Sequence, residues 1–205
     1  MIYYLKKAEQ NPSLLSQKIL FNKPEFSIPV QSFTTQSIKI GQQYTIRELL
    51  TYMIRHSDNN ATYLLNRNMD TGLFLKVFTD LGMRKPDLLS LQNELTPIEF
   101  SRFLRVLYNG SYLNPELSQF AMELLSQSEF SEGIKKNIPV EIVVAHKFGE
   151  ASFGENRTFS ESGIIYQQDE PYLITVMAKG NNDTNLIHFI GEVSGYIFQK
   201  LHTQL

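Results

Sequence analysis

Two short stretches carry side chains that could do chemistry. Ser57-Asp58-Asn59 sets a hydroxyl, a carboxylate and a carboxamide in consecutive positions. All three side chains can hydrogen-bond, which suits either a helix N-cap or one wall of a catalytic site. Further along, Lys147-Phe148-Gly149-Glu150 puts a cation beside a glycine, just after a β-branched run. Each stretch also has an ordinary alternative: Ser-Asp-Asn is a common helix cap, and a lysine after a strand is a common surface charge. What decides between them is the order of the elements that hold them.

Those elements change type along the chain. Thr45 and Glu48 form a capping box, with Ile46, Leu49, Leu50, Met53 and Ile54 following at helical spacing. A second helix is predicted to start around Ser57 to Asn59, carrying Ala61, Leu64 and Leu65 inward. A third runs from Thr71 through Leu73, Phe74, Val77, Phe78 and Leu81 to a stop at Gly82. Thr96-Pro97, with Glu99, and Asn114-Pro115-Glu116 announce two more. The N-terminal run "MIYYLKKAEQNPSLLSQKIL" also reads as amphipathic helix. Beyond residue 138 the period shortens. "PVEIVVAH", "SGIIYQQ" and "PYLITVMAKG" read as three strands, too closely spaced for crossover helices and so antiparallel. The "AHKFGE" stretch is expected at the end of the first. A last helix, about Thr184 to Leu201, presents Ile187, Ile190, Val193, Ile197 and Leu201. The fold class is therefore α+β: a mainly helical part over 1–138, then three strands and a C-terminal helix over 139–205, in one domain.

Composition narrows the function. With 205 residues, 42% of them apolar, the chain can bury a full core. The 19 basic and 21 acidic residues are interspersed, giving neither a nucleic-acid footprint nor a polybasic anchor. No run approaches a membrane span, and the N-terminus is no signal peptide, since Lys6, Lys7 and Glu9 break its apolar patches. With no cysteine, thiolate chemistry and disulfides are excluded. His56, His146, His188 and His202 show no pairing at metal-ligand spacing and read as core or solvated histidines. No cofactor is implied. The phenylalanines and tyrosines at helical spacing read as core.

Taken together, S-D-N at a helix start, "VVAHKFGE" and the strands "SESGIIY" and "PYLITVMAKG" resemble the penicillin-recognising serine hydrolases, most nearly the class A β-lactamase-like branch. "YTIRELLTYMIRHSDNNATYLL" is similar to that family's helix pair, and the likeness spans about residues 1 to 201. The resemblance implies a β-lactamase/transpeptidase-like fold and acyl transfer on a β-lactam, peptide or ester substrate. It further implies roles: Ser57 relays a proton toward the leaving nitrogen, Asn59 binds the substrate amide, and Asp58 props the turn. Lys147 supplies charge, Phe148 and Gly149 line the substrate, and the N–H of Glu150 donates to the oxyanion. By the same resemblance Ser57, Asn59 and Lys147 converge on one cleft, and Arg157 and a Glu161-Ser162-Gly163 turn lie near it.

The chain also departs from the family. No lysine has a serine three positions before it, so the nucleophile's S-x-x-K motif is absent. The resemblance implies a chain lacking the family's N-terminal helix and first strands, its nucleophile just upstream of Met1, and an exported parent protein. Glu94 lies in the region of the family's deacylating glutamate, without the Leu-Asn that follows it there. Phe148 replaces the usual hydroxyl residue. These departures point away from an efficient β-lactamase. The alternatives are a non-catalytic ligand- or peptide-binding remnant and a helical scaffold with incidental motifs. Without neighbours, the strand 172–178 would be an open edge through which the chain self-associates.

Overall fold

The computed structural model describes residues 1–24, 28, 29, 31–88, 95–153, 155–167 and 170–203. Glu94 lies outside them. The chain forms two compact units, one of residues 1–95 and 106–124, the other of residues 96–105 and 125–205.

In the first unit, α1 (Ile2–Ala8) is followed by a 3-10 turn at Pro12–Ser16 and by β1 (Lys18–Leu20), which pairs antiparallel with β2 (Gln43–Thr45). The continuous helix expected at the N-terminus thus ends after one apolar patch. Asn11-Pro12 stops it, because the residue before a proline is pushed out of the helical region. Helices α2 (Ile46–Arg55), α3 (Asn59–Arg67) and α4 (Thr71–Asp80) follow where capping and periodicity place them. The Thr45–Glu48 box makes both of its reciprocal bonds, and Gly82 ends the α4 region at φ 67°. Leu5, Leu49, Leu50, Ala61 and Leu65 are at most 2% exposed and form the centre of this core. Two tyrosines of α1 tie the helices together: Tyr4 Oη donates to the Leu65 carbonyl at 2.6 Å, and Tyr3 Oη accepts from the Asp70 N–H at 2.8 Å. Helix α4 buries only Val77 fully, and Leu73 is left exposed.

Helices α5 (Pro97–Tyr108) and α6 (Pro115–Ser126) are each divided between the units. The Thr96–Glu99 box caps α5, and Asn114 Oδ1 accepts from the Leu117 N–H at the start of α6.

The second unit holds an antiparallel sheet in the order β3 (Val144–Phe153), β4 (Asn156–Ile165), β5 (Tyr172–Gly180), with α7 (Asp183–Thr203) packed on β4 and β5. The class and element order match the expectation, but the first strand is displaced. Residues 139–143, the apolar start of "PVEIVVAH", lie in a turn closed by the Ile142 N–H on the Pro139 carbonyl, with Val140 in solvent. The strand instead continues through residues 147–153, because β4 begins at Asn156 and pairs with all of them, Val144 with Ile165 through Phe153 with Asn156. Lys147 is therefore mid-strand, not at a strand end. Glu161, Ser162 and Gly163 likewise lie within β4 and not in a turn, and Glu161 and Ser162 are completely buried. On α7 the buried stripe is Ile187, Ile190, Ser194 and Phe198, whereas Leu201 is exposed. Phe189 and Tyr196, which the expected stripe leaves out, stand in solvent on the opposite side. β5 pairs with β4 from Tyr172 to Gly180, and among the described residues its other edge has no strand. No helix of the described residues is long and apolar enough to cross a membrane.

Candidate active-site elements

The Ser-Asp-Asn triplet occupies the joint between α2 and α3. At the end of α2 the N–H groups of His56 and Asp58 both donate to the Tyr52 carbonyl. Closing the helix this way puts Ser57 at φ 53°, the only non-glycine residue with positive φ among those described. A left-handed L-residue costs about 1–2 kcal/mol relative to a right-handed one, and the joint must retain it by other bonds.

Asp58 supplies them. Its carboxylate caps α3 by accepting from the N–H groups of Asn60 (3.0 Å) and Ala61 (3.3 Å). The same two oxygens accept from Ser37 Oγ (2.7 Å) and the Ile38 N–H (2.9 Å), binding a distant loop to the joint. Asn60 Nδ2 donates to Ser37 Oγ, Thr34 Oγ1 to the Ser57 carbonyl, and Thr35 Oγ1 lies 3.0 Å from His56 Nδ1. Segment 34–38 is thus laced to 56–60. Asn59 begins α3, and its Nδ2 donates to the Pro29 carbonyl at 2.8 Å, which orients the carboxamide. Ser57 and Asp58 are buried, at 5% and 2% exposure. The helix-cap and prop functions expected of Asp58 are both present; the bonds to residues 34–38 had no sequence signal, since nothing in "TTQSI" announces that it answers to residue 58.

The second stretch runs along β3. Lys147 Nζ donates to the Phe148 carbonyl at 3.0 Å and lies 4.1 Å from the centre of the Phe148 ring. Burial pulls its pKa down from 10.5 to about 8, against the opposing pull of Glu161 and Glu150. Phe148 turns its ring into the core, stacked on Phe159 (centroids 5.4 Å apart, planes 3° apart) and tilted against Phe130 at 4.4 Å. What it can present to a ligand is backbone. A Cβ placed on Gly149 would meet no heavy atom within 4 Å, so the strand is open there. Glu150 pairs with Phe159 in the β3–β4 register.

Sequence reasoning passed over the most buried polar group of this unit. His146 and Glu161, both with side chains at 0% exposure, meet through Nδ1 and Oε1 at 2.6 Å. Of the two readings left open for the histidines, core or solvated, His146 takes the first, as a paired core histidine. Among the described residues no group of three or more His, Asp and Glu stands placed to hold a metal ion.

A model of the beta-lactamase enzyme family matches residues 1–201, so this chain belongs to that family. No curated protein sequence matches it. Among solved structures it is similar to PBP-A (TM-score 0.78, 16% identity, 98% of this chain and 77% of that one). It is also similar to a β-lactamase from Chitinophaga pinensis DSM 2588 (TM-score 0.79, 20% identity, 98% and 81%). A class A β-lactamase from Bacteroides cellulosilyticus DSM 14838 gives TM-score 0.79 at 16% identity over 98% and 80% of the chains. At these identities the structures define the fold: an α+β, β-lactamase/transpeptidase-like one.

The two stretches give separate stability signatures. Asp58→Ala removes a cap and strands the Ile38 N–H and Ser37 hydroxyl, and is expected to cost about 2–4 kcal/mol in urea unfolding. Ser57→Gly relieves the left-handed strain, so it should be neutral or stabilising by up to about 1 kcal/mol, with Ser57→Val destabilising. A larger loss for the glycine variant than for valine would contradict the assigned strain.

For Lys147 the unfolded state binds the proton more tightly than the folded state, so the penalty is complete below pH 8 and disappears as pH rises toward 10.5. Wild-type stability should therefore rise relative to Lys147→Met by about 2–3 kcal/mol between pH 7 and 10.5. Parallel stability curves for the two proteins over that range would show that Lys147 is not desolvated.

Proposed function

We propose that the chain carries part of a site for acyl-transfer chemistry of the penicillin-recognising kind, on a β-lactam or a D-Ala-type peptide or ester, without the S-x-x-K of the nucleophile. In this scheme Ser57 relays a proton to the leaving nitrogen and Asn59 binds the substrate amide. Lys147 supplies positive charge for a substrate carboxylate, while Gly149 and the N–H of Glu150 border the reacting carbonyl. The observation that carries this reading is the buried, left-handed Ser57 locked between α2 and α3. Strain of this kind persists only where surrounding bonds over-determine it, and it clusters at working sites. Two structural neighbours add support by what they hold: PBP-A in an acyl-enzyme complex with penicillin-G, and L2 complexed with relebactam.

The 205 residues contain no S-x-x-K, and Phe148 offers no hydroxyl. Both favour a second reading, in which the chain as given binds such ligands without turning them over. An oxyanion donor is worth on the order of 10²–10³ in rate only when a nucleophile is present to form the tetrahedral intermediate. The parent protein would act after export.

Mass spectrometry after incubation with a fluorescent penicillin separates the possibilities. The expected outcome is no covalent adduct, together with reversible binding that Lys147→Met weakens at least tenfold. A stoichiometric adduct on any serine would overturn the assignment of roles. Absence of any binding, to penicillin or to a D-Ala-D-Ala peptide, would remove the ligand class.

Self-association is proposed through the open edge of β5. Leu173, Ile174, Val176 and Met177 make it strongly strand-forming, and no charge precedes Lys179 to blunt pairing. Amide exchange within 172–178 should slow as concentration rises through the range where sedimentation detects dimers. Slow exchange already present in a dilute monomer would mean that the edge is covered.

A further inference from the structure

None of the roles above uses the buried acid–histidine pair that flanks Lys147 in the β3–β4 register. Both oxygens of Glu161 are engaged, Oε1 with His146 Nδ1 at 2.6 Å and Oε2 with the Ile134 N–H at 2.8 Å. Gly133 makes the second bond possible, since a Cβ there would overlap Glu161 Oε2. The other ring nitrogen, His146 Nε2, is buried and has no hydrogen-bond partner among the described residues. That orphan fixes the ring's proton. A doubly protonated imidazole would bury a charged N–H with no acceptor, the costliest kind of unsatisfied donor. The neutral ring, donating through Nδ1, leaves only a lone pair at Nε2. The pair then carries one negative charge in the middle of the sheet, and a charge so placed needs a counter-charge.

Lys147 is positioned to be it. Glu161 is the register partner of Phe148, and Lys147 Nζ sits against both the carbonyl and the ring of that same Phe148. We propose that the His146–Glu161 pair is a fixed internal anion that keeps Lys147 a cation, with Glu161 the positioning residue and His146 the group that holds it. The acids acting on Lys147 are Glu161 on β4 and Glu150 on β3. Both oppose the burial that draws its pKa toward 8, Glu161 the more strongly. The inference rests on the role proposed for Lys147, but its test uses no ligand.

Nuclear magnetic resonance of the full, isotope-labelled chain reads both members directly. In the wild type His146 is expected to carry its ring proton on Nδ1, facing Glu161. In Glu161→Gln the amide can still accept from Ile134 while its NH2 donates to Nδ1, so the ring should move its proton to Nε2. The Lys147 titration midpoint should fall by about one pH unit in that variant, as expected for loss of a nearby opposite charge. Glu150→Gln should lower it less. A doubly protonated His146 in the neutral wild type, or an unchanged Lys147 midpoint in Glu161→Gln, would overturn the proposal. Should Glu161→Gln not fold, the wild-type side-chain carbon of Glu161 decides: an ionised carboxylate at pH 7 supports the fixed anion and a protonated one ends it. Normal titration shifts in a protein that binds no penicillin would strike the proposed function and leave this pair standing.

Discussion

A carboxylate removed from water must have its oxygens satisfied, and two carboxylates impose that demand on this protein. Asp58 meets it with four donors, two from the start of its own helix and two from a loop some twenty residues earlier in the chain. Glu161 meets it with a backbone N–H from the 130s segment and an imidazole from the neighbouring strand. In each unit the acid gathers pieces of chain that no hydrophobic pattern would have brought into register. Apolar burial supplies most of the stabilisation, but it is indifferent to small slips. The carboxylates are not, because a slip of one residue leaves a buried charge unpaired.

That difference explains how far the sequence could be read. Helices with explicit stop and start chemistry, such as Thr45–Glu48, Thr96–Glu99 and the Gly82 terminus, fell where local rules put them, because caps are satisfied within a few residues. The first sheet strand did not. Its β-branched start, 139–143, looked more strand-like than 147–153, yet pairing is decided by the partner, and β4 starts early enough to claim residues 147–153. Leu73 and Leu201 mislead in the same way: helical spacing identifies a face, whereas burial depends on what packs against it. The Ser-Asp-Asn joint was visible as a cap, but its second set of bonds to residues 34–38 was not, since long-range partners of a polar side chain leave no periodic trace. His146 and Glu161 were invisible as a pair for the same reason. They lie opposite diagonally adjacent positions of a register that became known only with the strand's true bounds.

The lysine beside that pair shows how opposing demands can be balanced. Desolvation disfavours its cationic form, and nearby acids restore part of the loss. A pKa near 8 leaves the group charged at neutral pH but close to its titration, so that modest changes around it alter how much charge it presents.

The aromatic stack at Phe148 limits what the position can hold. Where the family usually has a small hydroxyl residue, this chain has a ring set between Phe130 and Phe159. Exchanging it for threonine would open a void in a filled core, at a cost of about 3 kcal/mol or more. Shrinking the neighbours first would be no better, since each is buried against the others. The ring at 148 is therefore held in place by its packing, and a single exchange for a hydroxyl residue would leave Phe130 and Phe159 around a void.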